Sequence, residues 1–451
     1  MNDPGLMATA HVYDASGEQV QYWHYHNNLQ PWQEHSFITL DTNLTDMDAA
    51  VMEQAIAILV ERHESLRTFF LVIDGHVKQC VVPYGPQLFS PLWLDLRAAA
   101  NKEQEVTDVV RQCKYVLRQM DTPPLFRCCI FRVADNAHYI YFILHHIIAD
   151  EWSSAIIYRE LTSAYLSLKK GQRPQLAPLK IQLKDYARWQ REWQQKNGAA
   201  LRKYWGDKLA ALTGSVRTDA LYCDERLQVL SSAASATYCY PAPPTQQAQV
   251  KGLLASGKTS IWAIMSASLS LLFFHLRKGE QPLIAMPVIS RNIPGADALI
   301  GCLIGGAYLY QPVNPDLSVD AFIKAVFLEF IDAAWQPIHN HENLALDETA
   351  LRLRTDVYAN FVTKEIVGDL ALPAQEGPVH HPRASPAYYA LSCMVHEYNN
   401  GFFYAWTYNL QLYSLQQMER VAEAHEKILS GMCGHPGMPV AALLATLDPP
   451  L

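Results

Sequence analysis

LFRCCIFRVADNAHYIYFILHHIIADEWSSAIIYRELTSAYLSLKKG, Leu125 to Gly171, is the stretch on which the fold turns. Leu125 to Val133 and Tyr139 to Leu144 are apolar and β-prone. The polar turn at Asp135 and Asn136 between them predicts an antiparallel pair. YIYFIL is apolar on both faces, so its strand should be central in its sheet. After Asp150, the residues Ile157, Leu161, Ala164 and Leu168 mark one helical face, and Gly171 ends it. Asp150 therefore stands where a helix N-cap belongs. Between strand and helix lie two adjacent histidines. Neighbours in an extended strand point to opposite faces, so His145 and His146 cannot both serve one site.

Working outward, Met47, Val51, Ala55, Ile58 and Leu59 recur at helical spacing from Asp46 to His63. Downstream, Pro174 and Pro178 punctuate GQRPQLAPLK, a surface connector. That connector sets an expected boundary between a lobe of residues 1–178 and one of 179–451. DYARWQREWQQ and LRKYWGDKL read as helical, with a packing stripe from Trp189 to Trp193. The most apolar run, Ile261 to Leu276, is interrupted by Ser266, Ser268, Ser270 and His275. It is too short for a span of ~18 clean residues and predicts a buried helix capped by Thr259 or Ser260 and closed by Gly279. A strand near Ala233 to Tyr240, a helix capped at Thr245, and the strand LIAMPV are expected around it. Helices near Ala321 to Ala334 and Leu415 to Leu429 follow, with strands at Val357 to Val362, Ser392 to Tyr398 and Phe402 to Tyr408. The fold class is mixed α/β with mixed sheets.

Composition narrows the function. At 451 residues, half of them hydrophobic, the chain exceeds the ~250 to 300 residues of a single core, so two lobes are expected. A net charge of -8 argues against nucleic acid as a partner. The nine cysteines lack CxxC spacing, which is reduced, cytoplasmic usage, and the N-terminus carries no secretory pattern. No membrane partner and no metal site is expected; His339 and His341 in QPIHNHE read as surface histidines.

An imidazole at the end of a rigid strand, titrating near neutrality, suits a general base. A lone buried histidine is more simply a satisfied core residue. Two histidines in an apolar strand, with Asp150 at fixed spacing, favour a site.

HHIIAD matches the HHxxxD motif, and other segments fall in the order found in the condensation domains of nonribosomal peptide synthetases. EQVQYW (Glu18 to Trp23) resembles their opening motif, RHESLRTFF (Arg62 to Phe70) the second, and LKDYARWQREW (Leu183 to Trp193) the fourth. PPLFRCCIFRV resembles the strand before the histidines, MPVISR (Met286 to Arg291) the segment whose arginine pairs with the motif aspartate, and IGCLIGGAYLY (Ile300 to Tyr310) the fifth motif. The resemblance implies two lobes like chloramphenicol acetyltransferase, set in a V-shaped pseudo-dimer with a tunnel at their junction. It implies an acyltransferase that joins a thioester on the phosphopantetheine of a donor carrier protein to an amine, in nonribosomal peptide or hybrid polyketide synthesis. The acceptor would be a second carrier protein or a free amine or alcohol. His146 would be the catalytic base with His145 in support. Asp150, Arg291 and Arg67 would be structural. Glu151, Trp152, Ser153, Gly305, Gly306 and Tyr310 would line the tunnel. No resident cofactor is implied, and a monomer acting as a stand-alone domain is expected.

The pattern is broken in two places. Glu151 replaces the usual glycine; it either complements the helix dipole or selects a cationic acceptor. Gly305 and Gly306 replace asparagine and threonine, and Tyr310 an arginine, which predicts freed backbone and a reshaped floor. Ester formation by the same base and a catalytically silent recruitment module are the alternatives; an epimerisation domain fits less well.

Overall fold

The structure, a computed structural model, describes residues 9–28, 37–85, 89–210, 234–255, 259–346, 355–363, 379–383, 389–398 and 401–448. In chain order it begins β1 (His11–Asp14), α1 (Gly17–Asn28), β2 (Phe37–Thr45), α2 (Ala49–Arg62), β3 (Thr68–Ile73), β4 (His76–Val81), β5 (Leu92–Asp95) and α3 (Lys102–Val116). The deciding stretch then forms β6 (Phe126–Ala134), β7 (Ala137–His145) and α4 (Glu151–Lys169), and α5 follows as one continuous helix, Leu183–Ala210. Two sheets result, β1-β4-β3 and β2-β7-β6-β5. β7 is central and antiparallel to both neighbours, with Phe37 opposite His145 and Phe126 opposite Leu144.

The two-sided apolar character of β6 and β7 has a direct cause. Cys128, Ile130, Ile140, Phe142 and Leu144 join Met52 and Ile56 of α2 and Ile156 and Leu161 of α4 in one core. Cys129, Phe131, Val133 and Ile143 join Val106 and Cys113 of α3 in another. Helices thus cover both faces, and the end of β7 is held in a fixed place from which to deliver side chains.

The second half contributes β8 (Ser235–Pro241), α6 (Pro244–Ala255), α7 (Ile261–Leu276), β9 (Ile284–Ile289), β10 (Ile304–Leu309), α8 (Val319–Ala334), β11 (Val357–Val362), β12 (Val379–Arg383), β13 (Leu391–Tyr398), β14 (Gly401–Asn409), α9 (Leu415–Gly434) and α10 (Val440–Leu444). Its strands form one sheet, β10-β9-β11-β13-β14-β8-β12, parallel at β9-β11-β13 and antiparallel from β13 to β12. The apolar run is α7, packed against α8 and α9. Ser260 caps it, accepting from the Ala263 amide at 3.2 Å, and Gly279 at φ +94 closes it. Its serines are satisfied inside the core, Ser270 on the Ser266 carbonyl and Ser268 on that of Met265. Thr245 lies within α6 rather than capping it, and Ala233 lies outside the described residues.

The chain divides into two compact units, the first Met1–Leu29, Glu34–Asn197 and Ile289–Ile304, the second Gln30–Gln33, Gly198–Val288 and Gly305–Leu451. The boundary expected at 178 is not where the contacts break. Leu183 and Tyr186 of α5 form an apolar cluster with Ala296, Leu299 and Leu303, and the Gln182 side-chain amide donates to the Arg62 carbonyl at 3.0 Å. Proline punctuates the backbone at 174 and 178, but burial continues beyond it, so α5 to Asn197 and the segment carrying Arg291 belong to the first unit.

Candidate active site

β7 ends at His145, and the chain tightens into a single 3-10 turn, His146–Ile148, before Asp150 opens α4. The change from strand to turn separates the two imidazoles, as the alternation argument expects. His145 is fully buried; its Nδ1 accepts from the Ile147 amide at 3.1 Å, and its Nε2 lies 3.2 Å from Nδ1 of His26 on α1. His146 is only partly buried. Its ring stacks on Tyr22, 4.4 Å between centroids and 15° between planes, with Nδ1 3.8 Å from the Cys302 thiol.

Burial, the larger influence, lowers the pKa of His146 below its ordinary 6.5, although ring hydrogen bonds to backbone and the charge of Asp150 act the other way. His145 is pushed well below 6.5 by burial, with His26 and His146 adding to it. Both rings are therefore neutral at pH 7. A neutral imidazole carries a lone pair on one ring nitrogen and can take a proton there.

Asp150, fully buried, does three things at once. It caps α4, accepting from the Ser153 amide at 2.8 Å and the Ser153 hydroxyl at 2.7 Å. It pairs with Arg291, whose Nη2 lies 2.7 and 2.9 Å from its two oxygens. It also accepts from the Leu303 amide at 3.1 Å. Arg291 Nη1 is fixed in turn by the Ala296 and Leu299 carbonyls, each at 2.7 Å. The 291–303 segment is thus tied to the histidine turn, and this brings Cys302 to His146.

The other expected residues fall as follows. Arg67 is buried and donates to the carbonyls of Val60 at 3.0 Å, Val82 at 2.6 Å and Glu61 at 3.2 Å, joining the end of α2 to the residue after β4. Trp152 donates to the Asp297 carbonyl at 3.0 Å, and the Arg291 guanidinium lies 5.7 Å from its ring. Ser153, expected along a passage, is instead fully buried, its hydroxyl held by Asp150 and by the Gly301 amide and carbonyl at 3.1 Å. Glu151 reaches solvent, yet enough protein surrounds its carboxyl that burial, then Asp150, raises its pKa.

The glycine pair needs a different account from freed backbone. Gly305 and Gly306 sit in β10 with no left-handed φ, and Gly306 makes two backbone hydrogen bonds with Ile338, at 2.7 and 2.8 Å. A Cβ on Gly305 would meet the Ile338 carbonyl at 3.1 Å and His339 at 3.3 Å, so a close approach is what glycine permits here. That bridge also draws QPIHNHE inward: His339 is buried, and His341 Nε2 lies 3.2 Å from the Tyr308 hydroxyl. The surface reading of these histidines is corrected accordingly. Tyr310 is partly buried, and its amide donates to Glu329 at 3.4 Å.

Sequence reasoning missed Tyr22, His26 and Cys302. Their i, i+4 spacing puts Tyr22 and His26 on one face of a helix but does not show what that face meets. The motifs do meet: Glu18, buried, accepts from the Tyr186 hydroxyl at 2.9 Å and from Gln190 at 2.7 Å, joining EQVQYW to LKDYARWQREW. Among the described residues no cluster of histidine, cysteine or acidic side chains could hold a metal, and no helix is long and apolar enough to cross a membrane.

The chain is 26% identical over 421 residues to one of the linear gramicidin synthase proteins of Brevibacillus parabrevis, covering 89% of this chain and 5% of that protein, so it spans a small fraction of its relative. A four-domain nonribosomal peptide synthetase solved with AMP and glycine superposes with a TM-score of 0.74 at 16% identity, over 96% of this chain and 34% of the other. The first condensation domain of the CDA synthetase gives 0.69 at 19%, over 96% and 98%. The family model for the condensation domain matches residues 10–448, and with nearly the whole chain so matched, this protein belongs to the Condensation domain family.

Proposed function

We propose that this chain transfers an acyl or peptidyl group from a carrier-protein thioester to an amine, forming an amide. The observation that carries the reading is a neutral, partly accessible imidazole, His146, on a turn whose shape is held by the buried Asp150–Arg291 pair. In the proposed step the amine nitrogen attacks the thioester carbon while His146 takes its proton. The C–N bond forms, the C–S bond breaks, and the proton passes to the departing phosphopantetheine thiolate. One residue alternates as base and acid, so nothing else need titrate. A base depressed below 6.5 stays unprotonated at neutral pH, and much of the rate comes from holding the two reactants together. The thioester arrives on its carrier, and the reaction draws on no resident cofactor.

The test is incubation with an acyl-loaded carrier protein and a panel of free and carrier-bound amines and alcohols, read by mass spectrometry of the product. Amide product lost in His146→Ala supports the reading. Ester product alone would make the chain an O-acyltransferase, and transfer that survives His146→Ala unchanged would remove His146 from the chemistry.

A further inference from the structure

We infer that Tyr22 and His26, one turn apart on α1, are positioning residues for His146: Tyr22 sets the plane of its ring, and His26 closes a directed chain of hydrogen bonds that fixes the turn beneath it. The inference rests on the reading of His146 as the base and deepens it.

The direction of the chain follows from which atoms can donate. The Ile147 amide is a donor only, so His145 Nδ1, 3.1 Å away, must offer a lone pair. The single proton of neutral His145 is therefore on Nε2, facing His26 Nδ1 at 3.2 Å. His26 Nδ1 must accept in turn, which places its own proton on Nε2, and the ring also hydrogen-bonds the backbone at Arg118. Each ring is left with one tautomer. Neither can take a second proton without setting N–H against N–H.

This chain ends on the peptide between His146 and Ile147, the first link of the turn. Tyr22 acts on the side chain of the same residue through its stacked ring. α1 therefore holds His146 twice, through backbone by His26 and through the ring by Tyr22. The groups facing His26 are His145 from the end of β7, His146 beyond it and Arg118 past α3, with Tyr22 on its own helix; all but Tyr22 are cationic or become so on protonation. A proton arriving on His26 meets like charge from Arg118 and a donor from His145, so the chain opens and the turn loses its anchor.

Protein with ring-¹⁵N histidines tests the chain without substrate, since nitrogen shifts and couplings report tautomers; His26→Asn and His146→Ala supply assignments. The expected result is Nε2–H at both His26 and His145. In His26→Leu the His146 signals move, and kcat for acyl transfer falls roughly tenfold to a hundredfold with KM unchanged, as for a misplaced reacting group. His26→Asn, whose Oδ1 can stand in for Nδ1, restores most of the rate. In both variants the proton that His26 takes up as the chain opens drops out of the acid limb of the pH profile, leaving only the one on His146. Tyr22→Leu should move the His146 ring signals and lower kcat, while Tyr22→Phe keeps both.

Nδ1–H at His145 overturns the chain, as does a His26→Leu protein with wild-type His146 signals and an unchanged acid limb. If His26→Leu does not fold, the wild-type tautomers and the Asn variant decide. A protein that shows both tautomers but transfers no acyl group ends the base assignment and leaves the chain standing.

Discussion

Replacing Arg291 with methionine would keep much of the volume of its side chain but leave Asp150 without its cationic partner at full burial. Breaking a buried pair from one side costs about 3 to 5 kcal/mol. Asp150 retains three donors, the Ser153 amide, the Ser153 hydroxyl and the Leu303 amide, so the lower end applies. About 3 kcal/mol corresponds to roughly a 150-fold loss of protection in local opening. Hydrogen exchange read by mass spectrometry on peptides covering the first turn of α4 and residues 299–304 measures it directly, and should show both peptides changing together. Asp150→Asn combined with Arg291→Met removes both charges while asparagine still caps the helix. Protection should then return to within about tenfold of wild type, because no buried charge is left alone. If Arg291→Met alone exchanges like wild type at both peptides, the pair does not hold this turn and the account of the site fails.

Folding depresses the pKa of His145 well below 6.5, so the unfolded chain binds protons first and stability should fall as pH drops below about 6.5; urea midpoints at pH 7.5 and 5.5 should differ in that sense, and equal midpoints would remove the effect. Glu151→Gln should lower kcat/KM for acceptors with a second positive charge by up to about fivefold while sparing neutral amines; identical preferences would leave Glu151 as a helix-dipole residue. Gly301→Ala would set a methyl 2.6 Å from Leu183 and 2.9 Å from Leu303, costing about 1 to 3 kcal/mol and lowering the thermal midpoint; no shift would mean that both leucines move aside freely.

The local pattern from Leu125 to Gly171 was legible because strand alternation, turn chemistry, cap and helical face all agree there. The buried helix α7 was legible for a similar reason, since sixteen residues broken only by three serines and a histidine leave few alternatives. Long-range pairings were not. Nothing local in Tyr22 or His26 says that a helix more than a hundred residues upstream of the histidine turn packs against it. The lobe boundary misled because proline marks where the backbone bends and says little about where burial ends. QPIHNHE read as surface for a related reason: its inward course depends on a bridge to Gly306, thirty-two residues away.

The spacing in HHIIAD has a mechanical explanation. The first histidine is the last strand residue, where alternation puts its ring on the same face as Ile143 and within reach of His26. The second must begin the turn, because one more strand residue would continue the alternation and carry the chain past α1. Three further residues complete the 3-10 turn and its exit and bring the chain to the N-cap. Asp150 acts on His146 without touching it, through Arg291 and Leu303, by holding the segment that brings the Cys302 thiol to Nδ1. Asparagine caps a helix nearly as well as aspartate, so Asp150→Asn alone separates the two duties. α4 should stay capped while the 299–304 peptide loosens and the His146 ring signals move. If instead the first turn of α4 frays and the His146 signals stay, capping is the only duty of Asp150, and the link from carboxylate to imidazole does not exist.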